Sequence, residues 1–499
     1  MYPDRDFDPH ADPPPQAGDL ALDLELESLF TAMAGGDAFL SGVAKAALFS
    51  GLGSDVEAIR YRQAILQDCL DNAAAVRELY ALAEETAERR RRLYFGIYTR
   101  YSGAILLGAI EALETFIEML RKLRALADLH APRFVSPGFT RLFATLRREL
   151  GDAYLAQLGE HLEHLRFRSG VPVSAELGKG NGGTNFVLRA SAGAAPTWLQ
   201  RVLRTGKTSF TFHIHERDEA GARALSVLRN RGLNLVANAT AQAAEHLVGF
   251  FEMLRVELAF YVGCLNLRDT LARISAPVAV PEPLPPAARA LRGAGLYDVC
   301  LALRMGHAVV GNGVAADGMN PVVVTGANQG GKSTFLRAVG VAQLMMQAGM
   351  FVGAESFAGA LCTGLFTHYR REEDASMTKG KLDEELSRMS DIAEQLRPGA
   401  LVLFNEAFAA TNEREGSEIA SQVVRALVEK GVRVIFVTHL YAFAHGLFDA
   451  GHDTALFLRA ERLTDGTRTF RIVPGEPLET SYGEDVYRTV FERDTAERA

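Results

Sequence analysis

What most narrows the folds open to this chain is the stretch TGANQGGKST, Thr325–Thr334, directly after the apolar run Pro321-Val322-Val323-Val324. Its Gly-x-x-x-x-Gly-Lys-Ser spacing, Gly326 to Ser333, needs a buried strand to end, a glycine-rich loop to turn and a helix to open near Lys332. In that geometry the backbone N–H groups from Ala327 through Asn328, Gln329, Gly330 and Gly331 converge on phosphate oxygens. The helix N-terminus, Lys332 to Thr334, adds its partial positive charge. Lys332 reaches the terminal phosphates and the Ser333 hydroxyl ligates Mg²⁺. A glycine-rich turn with no ligand is the plainer alternative, but the strand before the loop and the helix after it favour a nucleoside triphosphate site.

With 499 residues the chain has room for two or three domains, each burying its own core. Its net charge of −8 offers no global attraction to nucleic acid, so any such contact needs a local basic patch. Cys69, Cys264, Cys300 and Cys362 are scattered, with no Cys-x-x-Cys pair, which argues against a zinc module or a disulfide framework and fits a reducing compartment. The opening MYPDRDFDPHADPPPQ is acidic and proline-rich and lacks the plan of a signal peptide, so residues 1–18 are expected to be a disordered leader. Glu111, Glu114 and Glu118 break the best candidate for a membrane span, and a cytoplasmic protein with no membrane partner is expected.

Residues 19–275 read mainly as long helices. Ile105, Leu106, Ile110, Leu113, Phe116, Ile117 and Leu120 recur at helical spacing, as do Leu247, Phe250, Phe251, Leu254, Leu258, Tyr261 and Leu265. A helix from about Leu235 to Ile274 would be roughly 60 Å long at about 1.5 Å per residue. Between these blocks, residues 169–215 carry Gly178, Gly180, Gly182 and Gly183, then β-type alternation over Lys207–His215, which predicts a small β-containing insertion. From Arg166 to Arg217 there are eight Lys/Arg, among them Lys179, Arg189, Arg201, Arg204 and Lys207, against Glu176 and Glu216. That excess suits a phosphate backbone, although a solvated polar face would look the same. Five prolines between Pro277 and Pro286 mark residues 276–290 as a linker. Residues 291–499 then alternate strand candidates (Val322–Thr325, Leu401–Phe404, Val432–Thr438) with helices, and Asp465-Gly466 signals a closing hairpin. The fold class expected is thus α plus α/β: a helical domain with a β-containing insertion, followed by a phosphate-loop domain.

Two further strands complete the expected site. Leu401–Phe404 delivers Asn405 and Glu406 at its C-terminal end, where ligands of such sheets sit. Asn405 would hold Mg²⁺ through its water shell, and Glu406 is placed to polarise an attacking water. His439, after Val432–Thr438, is a candidate sensor of the γ-phosphate. A helix-capping carboxylate and a satisfied loop histidine are the plainer readings of Glu406 and His439.

These residues together resemble the MutS-type DNA mismatch repair ATPases. The resemblance rests on Leu296-Tyr297-Asp298-Val299, on Asn328 and Gly330-Gly331 within Thr325–Arg337, and on Gln343, Gly349, Phe351 and Val352 after the loop helix. Pro474-Gly475 and Ser481-Tyr482-Gly483 match the closing motif, and Asp55–Gln63 is similar to the start of the family's core and lever region. The resemblance implies an ATP- and Mg²⁺-dependent ATPase whose two nucleotide domains pair head to tail in a homodimer. It also implies helical levers ending in a DNA-gripping clamp, where the basic insertion falls.

The chain departs from the family at several places. Asn405 stands where the family has Asp, which implies slow hydrolysis. The family's serine-containing signature reads Thr378-Lys379-Gly380-Lys381-Leu382-Asp383-Glu384-Glu385, with no serine at the expected place. The mismatch-reading and connector domains and the dimerisation tail are not recognisable. Phe116-Ile117-Glu118 and Phe250-Phe251-Glu252 fit the spacing of the mismatch wedge but lie inside amphipathic helices. The expected function is an ATP-driven clamp on mismatched or branched DNA. Two rivals remain open: a weak-ATPase switch that docks a protein partner without touching DNA, and a mismatch repair factor that borrows its reader from another subunit.

Overall fold

The computed structural model of the protein describes residues 1–93, 102–168, 170–181, 183–189, 213–215, 217–371, 380–463 and 466–478. The chain divides into two compact units: Ala74–Val135 with Phe139–Arg255, and Met1–Ala73 with Ser136–Gly138 and Val256–Ala499.

The first unit is built from helices Ala73–Leu93, Ser102–His130, Pro137–Glu149 and Asp152–Leu165 and the N-terminal part of helix Glu219–Arg273. The expected apolar stripe is its core, with Leu106, Ile110, Leu113, Phe116, Ile117 and Leu120 all buried. The Phe116 ring stacks against Phe251 with centroids 6.3 Å apart. Glu118 pairs with Arg89, and Glu252 pairs with Arg90 on the solvent side. Phe116 is therefore a core aromatic and Phe250 a half-buried one, each followed by a surface carboxylate, as their helical setting implied. The long helix starts sixteen residues earlier than the expected Leu235. Asp218 caps that start by accepting from the Gly221 N–H at 2.9 Å. Periodicity could not show the extension, because Leu225, Val227 and Leu228 there are exposed.

Strands β1 (Val173–Leu177) and β2 (Gly183–Leu188) form an antiparallel hairpin. The β content of the insertion thus includes its glycine-rich stretch, where Gly180 takes the left-handed turn at φ 72°. Of the alternating segment Lys207–His215, only residues 213–215 are described, and they are not strand. The candidate DNA contacts Arg201, Arg204 and Lys207 lie outside the described residues, as do Thr378, Lys379, Asp465 and Ser481-Tyr482-Gly483.

The second unit carries β3 (Glu282–Leu284), β4 (Leu291–Leu296), β5 (Asn312–Ala315), β6 (Val322–Gly326), β7 (Ser356–Ala360), β8 (Leu365–Tyr369), β9 (Leu401–Asn405), β10 (Arg433–Val437), β11 (Leu456–Arg462) and β12 (Arg468–Pro474). One sheet runs β12-β11-β6-β10-β9-β8, parallel from β11 to β8 with β12 antiparallel at its edge. The other is β3-β7-β4-β5. The β6, β9 and β10 strands are near-continuous apolar runs because helices cover both faces of a parallel sheet. Helix Lys332–Gln347 follows β6 and is buried along most of its length.

Two boundary expectations fall in this unit. Within residues 1–18, expected to be a disordered leader, Met1, Phe7 and Ala17 are buried while most of the other residues are exposed. The fully buried Arg62 donates to the Met1 carbonyl at 3.3 Å and to Ala348 at 3.2 Å. Apolar anchors and a buried guanidinium outweigh the acidic, proline-rich composition. Within residues 276–290, expected as a proline-rich linker, β3 pairs in parallel with β7. Pro283 is tolerated because β3 is a sheet edge, where a missing N–H costs no ladder bond. The N-terminal helices also belong with the nucleotide-loop unit. A methyl group at Gly340 would meet Leu403 at 2.7 Å and Leu24 at 2.9 Å, so this glycine lets the loop helix lie between the sheet and the N-terminal segment. Arg337 on the same helix bridges Asp298 at 2.8 Å and Glu25 at 2.9 Å.

Candidate nucleotide-binding site

The loop after β6 is held in a shape few residues can adopt. Gly331 caps the following helix at φ 93°, close to the Phe470 backbone, and a side chain at Gly330 would meet Ala460 and the Ala327 carbonyl within 2.8 Å. The loop is pressed against β11 and β12, which is why glycine is required there. Lys332 is 4% exposed and folds back so that Nζ donates to the Gly326 carbonyl at 2.9 Å and the Ala327 carbonyl at 3.1 Å. Burial pulls its ammonium below the ordinary lysine range. Glu406 opposes that effect, and Arg468 adds to it.

Ser333 is the second residue of the helix and its Oγ donates to Asn405 Oδ1 at 2.8 Å. The two residues expected to serve the metal therefore meet, although seventy-two positions separate them in the chain. Glu406 follows at φ 53°, with its N–H bonded to the Val437 carbonyl at 2.8 Å, so the ends of β9 and β10 are tied together. Phe408 is also left-handed, at φ 62°. Such backbone costs free energy and persists only where the surroundings impose it. Here Glu385, buried and pushed upward in pKa by that burial, accepts from the Phe408 N–H at 2.8 Å. Gly416 packs so closely that a methyl there would lie 2.3 Å from the Phe408 carbonyl. His368 packs against Phe404 and Phe408 under the same turn, and burial lowers its pKa to about 3, so its ring is neutral.

A cavity of about 450 Å³ opens over the loop. Asn328, Gln329, Gly330, Gly331, Lys332, Ser333, Thr334 and Glu406 supply its polar side, and Leu301, Met305, Val309, Val310 and Phe470 its apolar side. A polar cradle for phosphates beside an apolar wall for a flat base, at this volume, fits a nucleotide. Among the described residues no group of three or more His, Cys, Asp or Glu could hold a metal. Ser333 and Asn405 are the residues expected to serve Mg²⁺, and they lie in hydrogen-bond contact.

His439 is exposed after β10 and is not among the cavity-lining residues, whereas its neighbour Thr438 is buried. Gly380 caps helix Lys381–Gln395, and among the described residues nothing lies within 4 Å of a side chain placed there. Lys179 and Arg189 are exposed on the β1–β2 hairpin, in the other unit. Sequence reasoning missed the apolar wall, Glu385 and Arg468. The wall comes from a loop and a helix of unremarkable composition. Glu385 carried a signal only in being an acid near the apolar face of its helix. No described helix is long and apolar enough to cross a membrane.

The chain matches two family models, the MutS2 N-terminal domain over residues 54–274 and MutS domain V over residues 322–492. It is 32% identical over 141 residues to endonuclease MutS2 of Thermus thermophilus, covering 28% of this chain and 19% of that protein. It is 34% identical over 118 residues to DNA mismatch repair protein MutS of Thermotoga petrophila, covering 24% and 15%. It is 28% identical over 137 residues to MutS protein homolog 4 of Mus musculus, covering 28% and 14%. The aligned stretches span about a fifth or less of the length of these relatives.

Proposed function

Because the chain belongs to the MutS family, we propose that it is an ATP-dependent DNA-binding protein of the cytoplasm, in which ATP binding and hydrolysis open and close a clamp on mismatched or branched DNA. The single observation that carries this reading is the cavity over Asn328–Thr334, with Lys332, the Ser333–Asn405 pair and Glu406 brought to one place from separate strands.

The chemistry follows from these side chains. Loop N–H groups and Lys332 bind the phosphates, and Lys332 exchanges its present carbonyl partners for phosphate oxygens. Mg²⁺, held at Ser333 and through water at Asn405, would offset charge on the β- and γ-phosphate oxygens. Glu406 orients the attacking water and accepts its proton. The left-handed backbone at Glu406 and Phe408 fixes that carboxylate's approach, and Glu385 and Gly416 hold the turn. Asn405 gives a dipole where a carboxylate would give a charge, so turnover is slow. Two such units pairing head to tail would bring the helix beginning at Gly380 toward the partner's nucleotide. In the other unit, Lys179 and Arg189, together with Arg201, Arg204 and Lys207, supply the phosphate-backbone contacts. His439 senses the γ-phosphate once the dimer forms.

The test is binding to duplex, mismatched duplex, four-way junction and single-stranded DNA, each with and without ATP. The reading expects salt-sensitive binding whose affinity or lifetime changes with ATP. No binding to any of the four in either state would favour a nucleotide switch that docks a protein instead.

A further inference from the structure

Asn312 opens β5, and its side chain joins the two sheets of its unit. Both β5 and β12 are edge strands, one in each sheet. The residue is 7% exposed and its amide is engaged at both ends. Oδ1 accepts from the Ile472 N–H at 2.7 Å, and Nδ2 donates to the Phe470 carbonyl at 3.3 Å. A carboxylate could not give the second bond and an ammonium could not take the first, so this tie needs an amide. The Asn312 backbone is held as well: it pairs with Leu296, and a side chain at the preceding Gly311 would meet the Gly295 carbonyl at 2.8 Å.

The segment that Asn312 holds is not regular strand. Ile472 pairs with Ala460 and Arg468 with Arg462, so residues 469–471 face the single residue Glu461. Phe470 sits in the middle of that bulge at φ 58°, in the left-handed region that bulky side chains avoid. It is 49% exposed and lines the cavity. Bulges re-aim side chains, and strained backbone persists only where its surroundings impose it. Core packing does not account for strain at a half-exposed ring, whereas the Asn312 bonds to Phe470 and Ile472 do.

The apolar wall of the cavity comes in two halves. Leu301, Met305, Val309 and Val310 lead into β5, and Phe470 belongs to β12. Asn312 lines the same cavity, two residues after Val310, and bonds directly to Phe470. It is therefore the tie between the halves. We propose that Asn312 is a positioning residue of the nucleotide site: it holds Phe470 in the bulge, fixes the gap between the halves of the wall, and so sets how tightly the base is gripped. This rests on the reading of the loop as an ATP site. The phosphate end, at Lys332 and Ser333, stands on β6 and the helix after it.

The experiment measures, by calorimetry on the full chain, the affinities for ATP and for inorganic triphosphate, which carries phosphates without a base. Asn312→Ala should bind ATP about ten-fold more weakly, with triphosphate affinity changed by less than about two-fold. Phe470→Gly takes the left-handed backbone without strain and should also lose ATP affinity. Adding Asn312→Ala to Phe470→Gly should cost less than about two-fold more, because the two positions act as one. Parent-level ATP affinity in Asn312→Ala would overturn the assignment while leaving the loop reading intact. Equal losses for ATP and triphosphate would overturn it too, since they would mark Asn312 as a support of the loop, and so would losses that simply add in the double variant. Should Asn312→Ala not fold, Phe470→Gly carries the test, and parent-level ATP affinity there sinks the inference. If the parent chain binds neither ligand, the loop reading fails and this inference fails with it.

Discussion

The phosphate loop and the β1–β2 hairpin are both glycine-rich and both cationic, and the fold treats them in opposite ways. In the loop, Gly331 at φ 93° sits against the Phe470 backbone and Lys332 is buried beneath its own turn. In the hairpin, Gly180 at φ 72° has nothing among the described residues within 4 Å of a side chain placed on it, and Lys179 and Arg189 are exposed, the latter with Nε on Ser174 Oγ at 2.8 Å. A buried cation in a fixed cradle meets its ligand with little reorganisation, so each position matters individually. Exposed cations act through their summed field, which water and salt screen, so no single one dominates.

The largest effect should come from the cradle's carboxylate. Glu406→Gln is expected to bind ATP while turnover falls by about 10²–10⁴-fold, measured as phosphate release on protein shown to bind nucleotide. Hydrolysis at the parent rate would move the catalytic role elsewhere. Lys332→Ala comes next, with ATP affinity falling by roughly ten- to a hundred-fold. Calorimetry that gives the parent affinity on a folded variant would erase the contrast between buried and exposed cations. Smallest per residue is the hairpin and its neighbouring segment. Neutralising Lys179, Arg189, Arg201, Arg204 and Lys207 together should reduce the slope of log affinity against log salt on duplex DNA by about 0.9 per lost contact. Any one of the five alone should do little. A single substitution there that abolished binding would show a preformed pocket instead of a diffuse field.

Legibility followed the same division. Strands β6, β9 and β10 lay within a residue or two of their expected places, because fully buried parallel strands are short unbroken apolar runs. The loop was readable residue by residue, since its spacing lies between an apolar strand and a helix start within ten positions, although the contacts with Ala460 and Phe470 that demand glycine there come from far along the chain. Strands β3 and β7 were not readable, because Glu282–Leu284 is proline-flanked and Ser356–Ala360 is made of small residues that pair only once the chain has folded back. Composition misled at residues 1–18, where burial of Met1 and Phe7 and the reach of Arg62 are decided by distant partners.

The amino-acid sequence alone determined the phosphate loop, the order of its supporting strands, the helical character of residues 102–130, and Asn405 in place of a carboxylate. Each depends on neighbours close in the chain. Tertiary structure alone decided that Ser333 meets Asn405, that Glu385 holds the turn beyond Glu406, and that Arg468 reaches Gln329. It also decided that an N-terminal segment read as part of a lever packs on the loop helix. The physical reason is range. Backbone preference and apolar period act over a few residues and leave a mark in the string, whereas burial, desolvation and the convergence of charges depend on which distant segments come within a few ångströms.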